Sequence, residues 1–334
     1  MKVAQLTKYS KKDPQIEINS IPLPKLKPND LKIKVTYAGV NPLDNLIAHG
    51  DVKLIVPYKV PVNMGNEFVG KVTQIGSNVK KIKVGDRVFA RMPLDKIGAF
   101  AEEVVIDANA VATVPEYLTD KEAATVPLTA LTAMQALELM HAKPGQTLFI
   151  SGGTGSFGAM AIPIAFAKGL KVITTGSTQK KENVLKLGVS QFIDYRTQDY
   201  TKLLSNVDLA IDTLGGKELE KQMSILKPGG IIVSLKAMPT ADFAKRMHMS
   251  KAKQLLFKLA SRKIVQMANK YQVHYHFIFV HADGKQLQEV ADILARAEVH
   301  PIYGDIFTLD QTKAAMDKVA HGHNKGKVLL KIAN

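Results

Sequence analysis

Through roughly the first 120 residues, apolar positions come in short runs broken by Pro, Gly and Asn-Asp. Residues 30–40, DLKIKVTYAGV, and 67–76, EFVGKVTQIG, alternate with period two, which predicts half-buried strands. Gly85-Asp86 reads as a tight turn closing such a hairpin. Near residue 120 the period changes. TDKEAATVPLTALTAMQALELM (119–140) opens on Thr119 or Asp120 as an N-cap and continues helically past a bend at Pro127. From 146 to 235, apolar runs of strand length at 147–151, 171–175, 191–194, 207–212 and 230–235 alternate with helical segments. Continuous apolar strands with helical crossovers predict a parallel sheet covered on both faces. Beyond them lie a helical stretch to 271, a strand at 274–280 and a helix through 285–297. The tail returns to strand and helix and ends on GKVLLKI.

The strongest single signal is FISGGTGSFGAMAIPIAFAKG (149–169). A strand runs into Gly153-Thr154-Gly155-Ser156-Phe157-Gly158 and a helix follows at once. This satisfies G-x-G-x-x-G within a βαβ alternation, the context of a dinucleotide-binding turn. Gly153 is assigned to the tight turn, Gly155 to close approach of a pyrophosphate, and Gly158 to helix–strand packing. The N–H groups at the helix N-terminus then offer positive charge to the diphosphate. An acidic residue that holds the ribose hydroxyls belongs about 20 residues farther on. That spacing falls on Thr175 and Gly176, with no carboxylate near. Ser177, Lys180 and Lys181 offer a hydroxyl and two ammonium groups instead, which suit the 2′-phosphate of NADP(H). Tyr195, after the third strand, is placed to flank the adenine. NADPH is the expected cofactor.

Length and composition fit two soluble domains: 334 residues, 46% hydrophobic and 22% charged. The first residues, MKVAQLTKYSKKDP, hold no apolar signal core, and no run of about 18 apolar residues occurs, so a cytoplasmic protein is expected. Cysteine is absent, which excludes disulfides, a thiol nucleophile and Cys-based zinc sites. The net charge is +15, and residues 243–282 carry eight Lys/Arg and no Asp or Glu. Read as one helix, that stretch has a packing stripe of Met249, Ala252, Leu256, Ala260, Ile264, Met267 and Tyr271, with its lysines in water. It lacks the interleaved aromatics of a nucleic-acid stacking surface.

AGVNPLD (38–44), GNEFVGKVTQIGSNV (65–79), VGDRVFA (84–90), VPLTALTA (126–133), SGGTGSFG (151–158), DTLGG (212–216) and GKVLL (326–330) occur in that order. Together they resemble the medium-chain dehydrogenase/reductase superfamily, in its zinc-free quinone-oxidoreductase branch, nearly end to end. The resemblance implies a GroES-like catalytic domain over 1–120, completed by 285–334, and a Rossmann domain over 121–284. It also implies a homodimer joined through Rossmann sheets. Asn41 and Asn66 stand where zinc-dependent relatives carry a cysteine and a histidine ligand. Asparagine is a poor zinc ligand, so no metal is expected.

Without a Lewis acid, alcohol oxidation is disfavoured. Hydride transfer from NADPH to a quinone, or to the C=C of an α,β-unsaturated carbonyl, is the implied reaction. Asn41 is the candidate donor to the developing oxyanion, or else a residue that caps the turn before Pro42. Asn45 and Leu46 occupy the stretch where some relatives carry tyrosines, so that acid does not carry over. Tyr58, in a loop where tyrosines mostly pack, is the candidate acid, or else water delivers the proton. By resemblance, Thr129 lies under the nicotinamide, Leu214 and Leu235 along the cofactor, and Phe277 and Phe279 near the carboxamide. Asn324 and Lys327 are placed on the phosphate side. Asp44 and Glu67 form an acid pair or hold their loop by hydrogen bonds and salt bridges. His274/His276 and His321/His323 read as surface or packed pairs. Two other functions stay open: an enoyl thioester reductase acting on a CoA or carrier-bound substrate, and an NADPH-regulated RNA-binding or sensor protein.

Overall fold

The structure is a computed structural model that describes residues 1–322 and 325–333; Asn324 and His323 lie outside the described residues. In chain order the strands and helices are β1 (Lys2–Lys8), β2 (Gln15–Ser20), β3 (Asp30–Gly39), α1 (Pro42–His49), β4 (Val62–Asn63), β5 (Glu67–Ile75), β6 (Arg87–Arg91), β7 (Glu103–Asp107), β8 (Val111–Thr113), α2 (Asp120–Ala123) and α3 (Pro127–Leu139). Next come β9 (Thr147–Ile150), α4 (Ser156–Ala167), β10 (Lys171–Gly176), α5 (Lys181–Lys186), β11 (Val189–Asp194), α6 (Tyr200–Leu203), β12 (Val207–Asp212), α7 (Lys217–Ser224), β13 (Leu226–Ser234), α8 (Ala241–Arg246), α9 (Lys251–Ala260), α10 (Arg262–Lys270) and β14 (His274–Phe277). The chain closes with α11 (Gly284–Arg296), β15 (Tyr303–Thr308), α12 (Thr312–His321) and β16 (Lys327–Lys331). No helix among the described residues is long and apolar enough to cross a membrane.

The chain divides into two compact units, Met1–Leu131 with His281–Asn334, and Thr132–Val280. The first boundary falls inside α3 rather than at residue 120, where the sequence period changes.

The first unit is β-rich and GroES-like. Its larger sheet runs β15-β16-β3-β5-β6-β8, with β7 also paired to β3. The strand from the tail, β16, pairs antiparallel with β3 (Leu329↔Gly39). The smaller sheet is β2-β1-β4. Alternation in β3 puts Leu31, Ile33 and Val35 in the core and leaves Lys34 in water.

The second unit holds a six-stranded parallel sheet in the order β11-β10-β9-β12-β13-β14. Numbered from its own first strand this is 3-2-1-4-5-6, the doubly wound Rossmann order. Its switch point lies between β9 and β12, and the turn after β9 is the glycine run. Leu148, Phe149 and Ile150 in β9 are fully buried, as a central strand covered on both sides requires.

The basic stretch differs from expectation. It forms three helices, and Ser261 interrupts α9 and α10. The interruption resets the helical phase, so one continuous stripe cannot persist. Phe243, Phe257 and Ala268 form the packed side, with Phe243 and Phe257 edge-to-face at 6.4 Å. Ala252, Leu256 and Ala260, expected to pack, are exposed.

Candidate functional site

In the second unit the glycine run makes the bend between β9 and α4. The left-handed residue is Gly152 (φ 64°), one position before the glycine assigned to the tight turn. Gly153 is required for a different reason: a Cβ there would lie 2.1 Å from Thr174 Oγ1. A Cβ on Gly158 would stand 2.0 Å from the Gly153 carbonyl oxygen, so that glycine does serve close packing. At Gly155, the N-cap of α4, a Cβ would meet only Gly152 O at 3.6 Å. Its outward side is open, and the following N–H groups begin the helix at Ser156 and Phe157. The end of β10 braces this bend: Gly153 N donates to Thr174 Oγ1 and Gly152 N to Thr175 Oγ1, both at 3.0 Å. The threonine hydroxyls there are spent on the loop. Free amides at a helix start suit a diphosphate, and the cradle fits a dinucleotide.

Beyond β10 the chain supplies cations. Lys180 Nζ reaches the Thr154 carbonyl at 3.5 Å, so its ammonium lies against the glycine bend. Lys181 begins α5 and is exposed, and Ser177 stands at the N-cap position of the short turn Thr178–Lys180 with no side-chain capping bond. One correction concerns the acidic residue. A carboxylate does reach this region: Asp194, at the end of β11, accepts from Thr178 Oγ1, Thr178 N and Arg196 N. Those hydrogen bonds hold its carboxyl below the ordinary aspartate range. Parallel pairing sets Gly176 beside Asp194, so the neighbouring strand delivers what β10 lacks. Tyr195 is exposed, with the Arg196 guanidinium carbon 5.9 Å from its ring centroid; the sequence reading passed over this third cation.

The remaining positions in this unit are less uniform. Leu214 is exposed on the turn after β12, its N–H held by Asp212 Oδ1 at 3.0 Å, and Leu235 N donates to Asp212 O at 2.9 Å. Phe277 is buried edge-to-face on Phe243, and its carbonyl accepts from Arg246 Nη2 at 3.0 Å. That carbonyl takes one donor and keeps a second lone pair for another. Phe279 lies past the end of β14.

The first unit gathers a buried polar network from four distant segments. Asn41 precedes α1, and its backbone N–H donates to Asp44 Oδ2 at 2.7 Å. Its side-chain amide donates to Gly39 O at 3.2 Å and Glu67 Oε1 at 2.8 Å. Both N–H bonds are spent, so Asn41 is not the free oxyanion donor expected of it. Glu67 Oε1 also pairs with Lys327 Nζ, while Oε2 accepts from Leu128 N at 2.7 Å in the first turn of α3. Lys327 donates further to Thr125 O at 3.3 Å. Buried in this pair, it is unavailable to a phosphate; a lysine near GKVLL carries no sign in sequence of a carboxylate partner some 260 residues away. Thr129, in α3, gives its hydroxyl to Thr125 O and Val126 O rather than outward. Asp44 and Glu67 thus hold their loops by hydrogen bonds and a salt bridge, as one of the two sequence readings has it.

Asn66 Nδ2 donates to Asp44 Oδ1 at 2.7 Å, and its Oδ1 has no partner among the described residues. Burial raises the Asp44 carboxyl to about 7, against the lowering effect of the Asn41 and Asn66 hydrogen bonds. Arg91, which the sequence reading did not single out, is fully buried nearby in β6. Its Nη1 donates to Met92 O, while Nε and Nη2 lack partners among the described residues. Burial lowers its guanidinium to about 10, although Tyr58, Asp44 and Glu67 favour its charge. Tyr58 donates its hydroxyl to Leu94 O at 2.7 Å, and burial pushes it up to about 12. A phenol so held is a poor acid at neutral pH. Among the described residues no three His, Asp or Glu side chains gather as a cation site.

Comparison with known proteins agrees with this architecture. Residues 27–116 match the family model described as an alcohol dehydrogenase GroES-like domain, and residues 187–330 the one described as a zinc-binding dehydrogenase. The chain is 29% identical over 350 residues to the mitochondrial NAD(P)H oxidoreductase RTN4IP1 of Danio rerio, covering 98% of this chain and 90% of that one. It is 31% identical over 315 residues to a phenolphthiocerol/phthiocerol polyketide synthase of Mycobacterium tuberculosis, over 91% of this chain and 14% of that much longer protein. Among solved structures, the quinone oxidoreductase of Coxiella burnetii superposes with a TM-score of 0.80 at 26% identity, over 100% of this chain and 99% of that one. Fold and site define a nicotinamide-dependent oxidoreductase. The chain belongs to the medium-chain dehydrogenase/reductase superfamily, in its zinc-free quinone-oxidoreductase branch.

Proposed function

We propose that this chain is an NADPH-dependent, zinc-independent reductase that delivers hydride to a quinone or to the C=C of an α,β-unsaturated carbonyl. The observation that carries the reading is the glycine bend with open space at Gly155 and the Lys180 ammonium lying against it. NADPH, when bound, supplies the hydride; the chain's residues supply position and polarity. The helix N-terminus at Ser156 takes the diphosphate, and Ser177, Lys180 and Lys181 take the 2′-phosphate. As the acceptor carbon gains hydride, its π electrons move to the carbonyl oxygen, which then needs a donor and a proton.

Asn66 replaces Asn41 as the candidate donor: its amide nitrogen has one partner, Asp44, and its oxygen has none among the described residues, so the amide can turn over without breaking a second hydrogen bond. With Asp44 ionised, the amide nitrogen is held on the carboxylate. With Asp44 protonated, its O–H can donate to the Asn66 oxygen, and the amide nitrogen turns free. The proton that completes the product comes from water in this reading.

Titration with NADPH and NADH, followed by nicotinamide fluorescence, tests the cofactor assignment. NADPH should bind at least about tenfold more tightly, the worth of one charge-assisted contact. Lys180→Ala/Lys181→Ala should abolish the difference. Equal binding of both cofactors would remove the NADPH assignment and leave the reductase; no binding of either would remove both.

The similarity to a polyketide synthase favours a second reading, an enoyl thioester reductase. NADPH oxidation with an enoyl-CoA but not with the corresponding free enone would decide for it. A homodimer joined edge to edge through the Rossmann sheets and a cytoplasmic location complete the proposal. Light scattering and cell fractionation test them, and the Danio rerio relative's name places that protein in mitochondria.

A further inference from the structure

The face formed by α9 and α10 combines exposed apolar side chains with cations. Leu255 is 57%, Leu256 45% and Leu259 62% exposed in α9, and Val265 is 41% exposed in α10. Single exposed leucines are ordinary; four large apolar side chains within eleven residues are not. Lys251, Lys258, Arg262 and Lys263 are interspersed with them and exposed. None of these four has an ion-pair partner among the described residues, whereas Lys270 and Arg246, at the ends of the segment, are paired with Glu220 and Asp242. Between α9, α10 and β14 lies a groove of about 880 Å³ whose lining includes Leu255, Leu259, Val265, Tyr275, Lys258 and Arg262. Asp242, at its edge, is held by Arg246 Nε at 3.2 Å. The lining therefore mixes exposed apolar side chains with cations, and its one carboxylate, Asp242, is already paired with Arg246.

We infer that α9 and α10 form a docking surface for an anionic lipid bilayer. Helices that carry leucines on one side and lysines around them lie in the headgroup plane, with apolar side chains entering the acyl boundary. Phospholipid phosphates supply the negative charge that 243–282 lacks throughout its length. A folded protein partner would need matching carboxylates as well as an apolar knob, and a second copy of this face would oppose like charges. RNA would satisfy the cations and leave the leucines in water. A bilayer satisfies both. Anchoring here is peripheral and reversible, consistent with helices far too short to span.

The full chain contains no tryptophan, so Leu259→Trp installs a single indole reporter on this face. With vesicles of equimolar phosphatidylcholine and phosphatidylglycerol the indole emission should shift to the blue and the protein should sediment with lipid. With phosphatidylcholine alone neither should happen. Lys258→Glu/Arg262→Glu/Lys263→Glu should weaken vesicle binding by about a hundredfold or more, since each basic residue near an anionic surface contributes about fivefold. Added salt should weaken it likewise. Leu255→Ser, in a chain that keeps the cations, should reduce the binding that survives high salt. The substituted side chains are exposed, and an unchanged thermal unfolding midpoint checks each variant. Equal sedimentation with both vesicle types would overturn the inference. So would an indole that stays water-exposed with anionic vesicles, or one that shifts without lipid as protein concentration rises, which would assign the face to a second copy. Binding of RNA but not of vesicles would overturn it too.

Discussion

Glu67 Oε1 is shared by the side-chain amide of Asn41, at 2.8 Å, and by the ammonium of Lys327. Both the lysine and the glutamate are buried, so each neutralises a charge that water cannot reach.

Lys327→Met therefore leaves Glu67 buried and uncompensated. Urea unfolding should show a loss of about 3–5 kcal/mol. Adding Glu67→Gln to that variant should recover much of the loss, because the orphaned charge goes with it. If the double variant is no more stable than Lys327→Met, the pair is not the source of the cost.

Asp44 gives stability a pH dependence of definite sign. Its folded carboxyl titrates at about 7, against about 3.9 when unfolded. Over that interval the folded chain binds more protons, so this group's contribution is complete below pH 4 and is lost as pH rises through 7. Asp44→Asn, whose amide can also serve the unpartnered oxygen of Asn66, should flatten the curve between those limits. Denaturant unfolding of both proteins across pH 4–8 measures the difference; parallel curves would contradict it.

Gly153 and Gly155 should separate folding from binding. Gly153→Ala pushes a methyl into Thr174 Oγ1 and should cost about 1–3 kcal/mol of stability. Gly155→Ala meets nothing closer than 3.6 Å and should leave stability within about 0.5 kcal/mol. Its affinity for NADPH should nonetheless fall by about tenfold, the equivalent of a lost charge-assisted hydrogen bond. Calorimetry of the first and titration of both check the contrast.

Tyr58 and Asn66 divide in the opposite way. Tyr58→Phe loses the bond to Leu94 O and should cost about 1 kcal/mol of stability, with turnover unchanged. Asn66→Ala should lower kcat about 10²-fold, with little change in KM, if its amide faces the developing oxyanion. Steady-state assays with a quinone acceptor read both.

The doubly wound sheet and its glycine bend were legible because they are local: continuous apolar strands and three glycines within six positions say what the backbone does. The finer roles were not. Gly152 rather than Gly153 takes the left-handed turn, because Gly153 is pressed against Thr174, a contact made only once β10 lies beside β9. Asp194 reaches Thr178 through the parallel register of β10 and β11, which no single strand encodes. Ala252, Leu256 and Ala260 of α9 were misplaced because the helix turns Phe257 to the core instead, a face that the apparent stripe does not contain. Asn41 looked available until both its N–H groups were accounted for.

The strand carrying Lys327 has a further consequence. β16 lies between β15 and β3 in the first unit's sheet, yet 149 residues of the second unit, Thr132–Val280, are made before it. On the ribosome, the growing amino-terminal segment must wait with an unpaired edge on β3 and with Glu67 lacking its cation. The second unit, contiguous in the chain, has no such debt and can close as soon as it emerges. Biogenesis should run from the middle outward, and the nascent amino-terminal portion is the stretch most in need of a chaperone's protection.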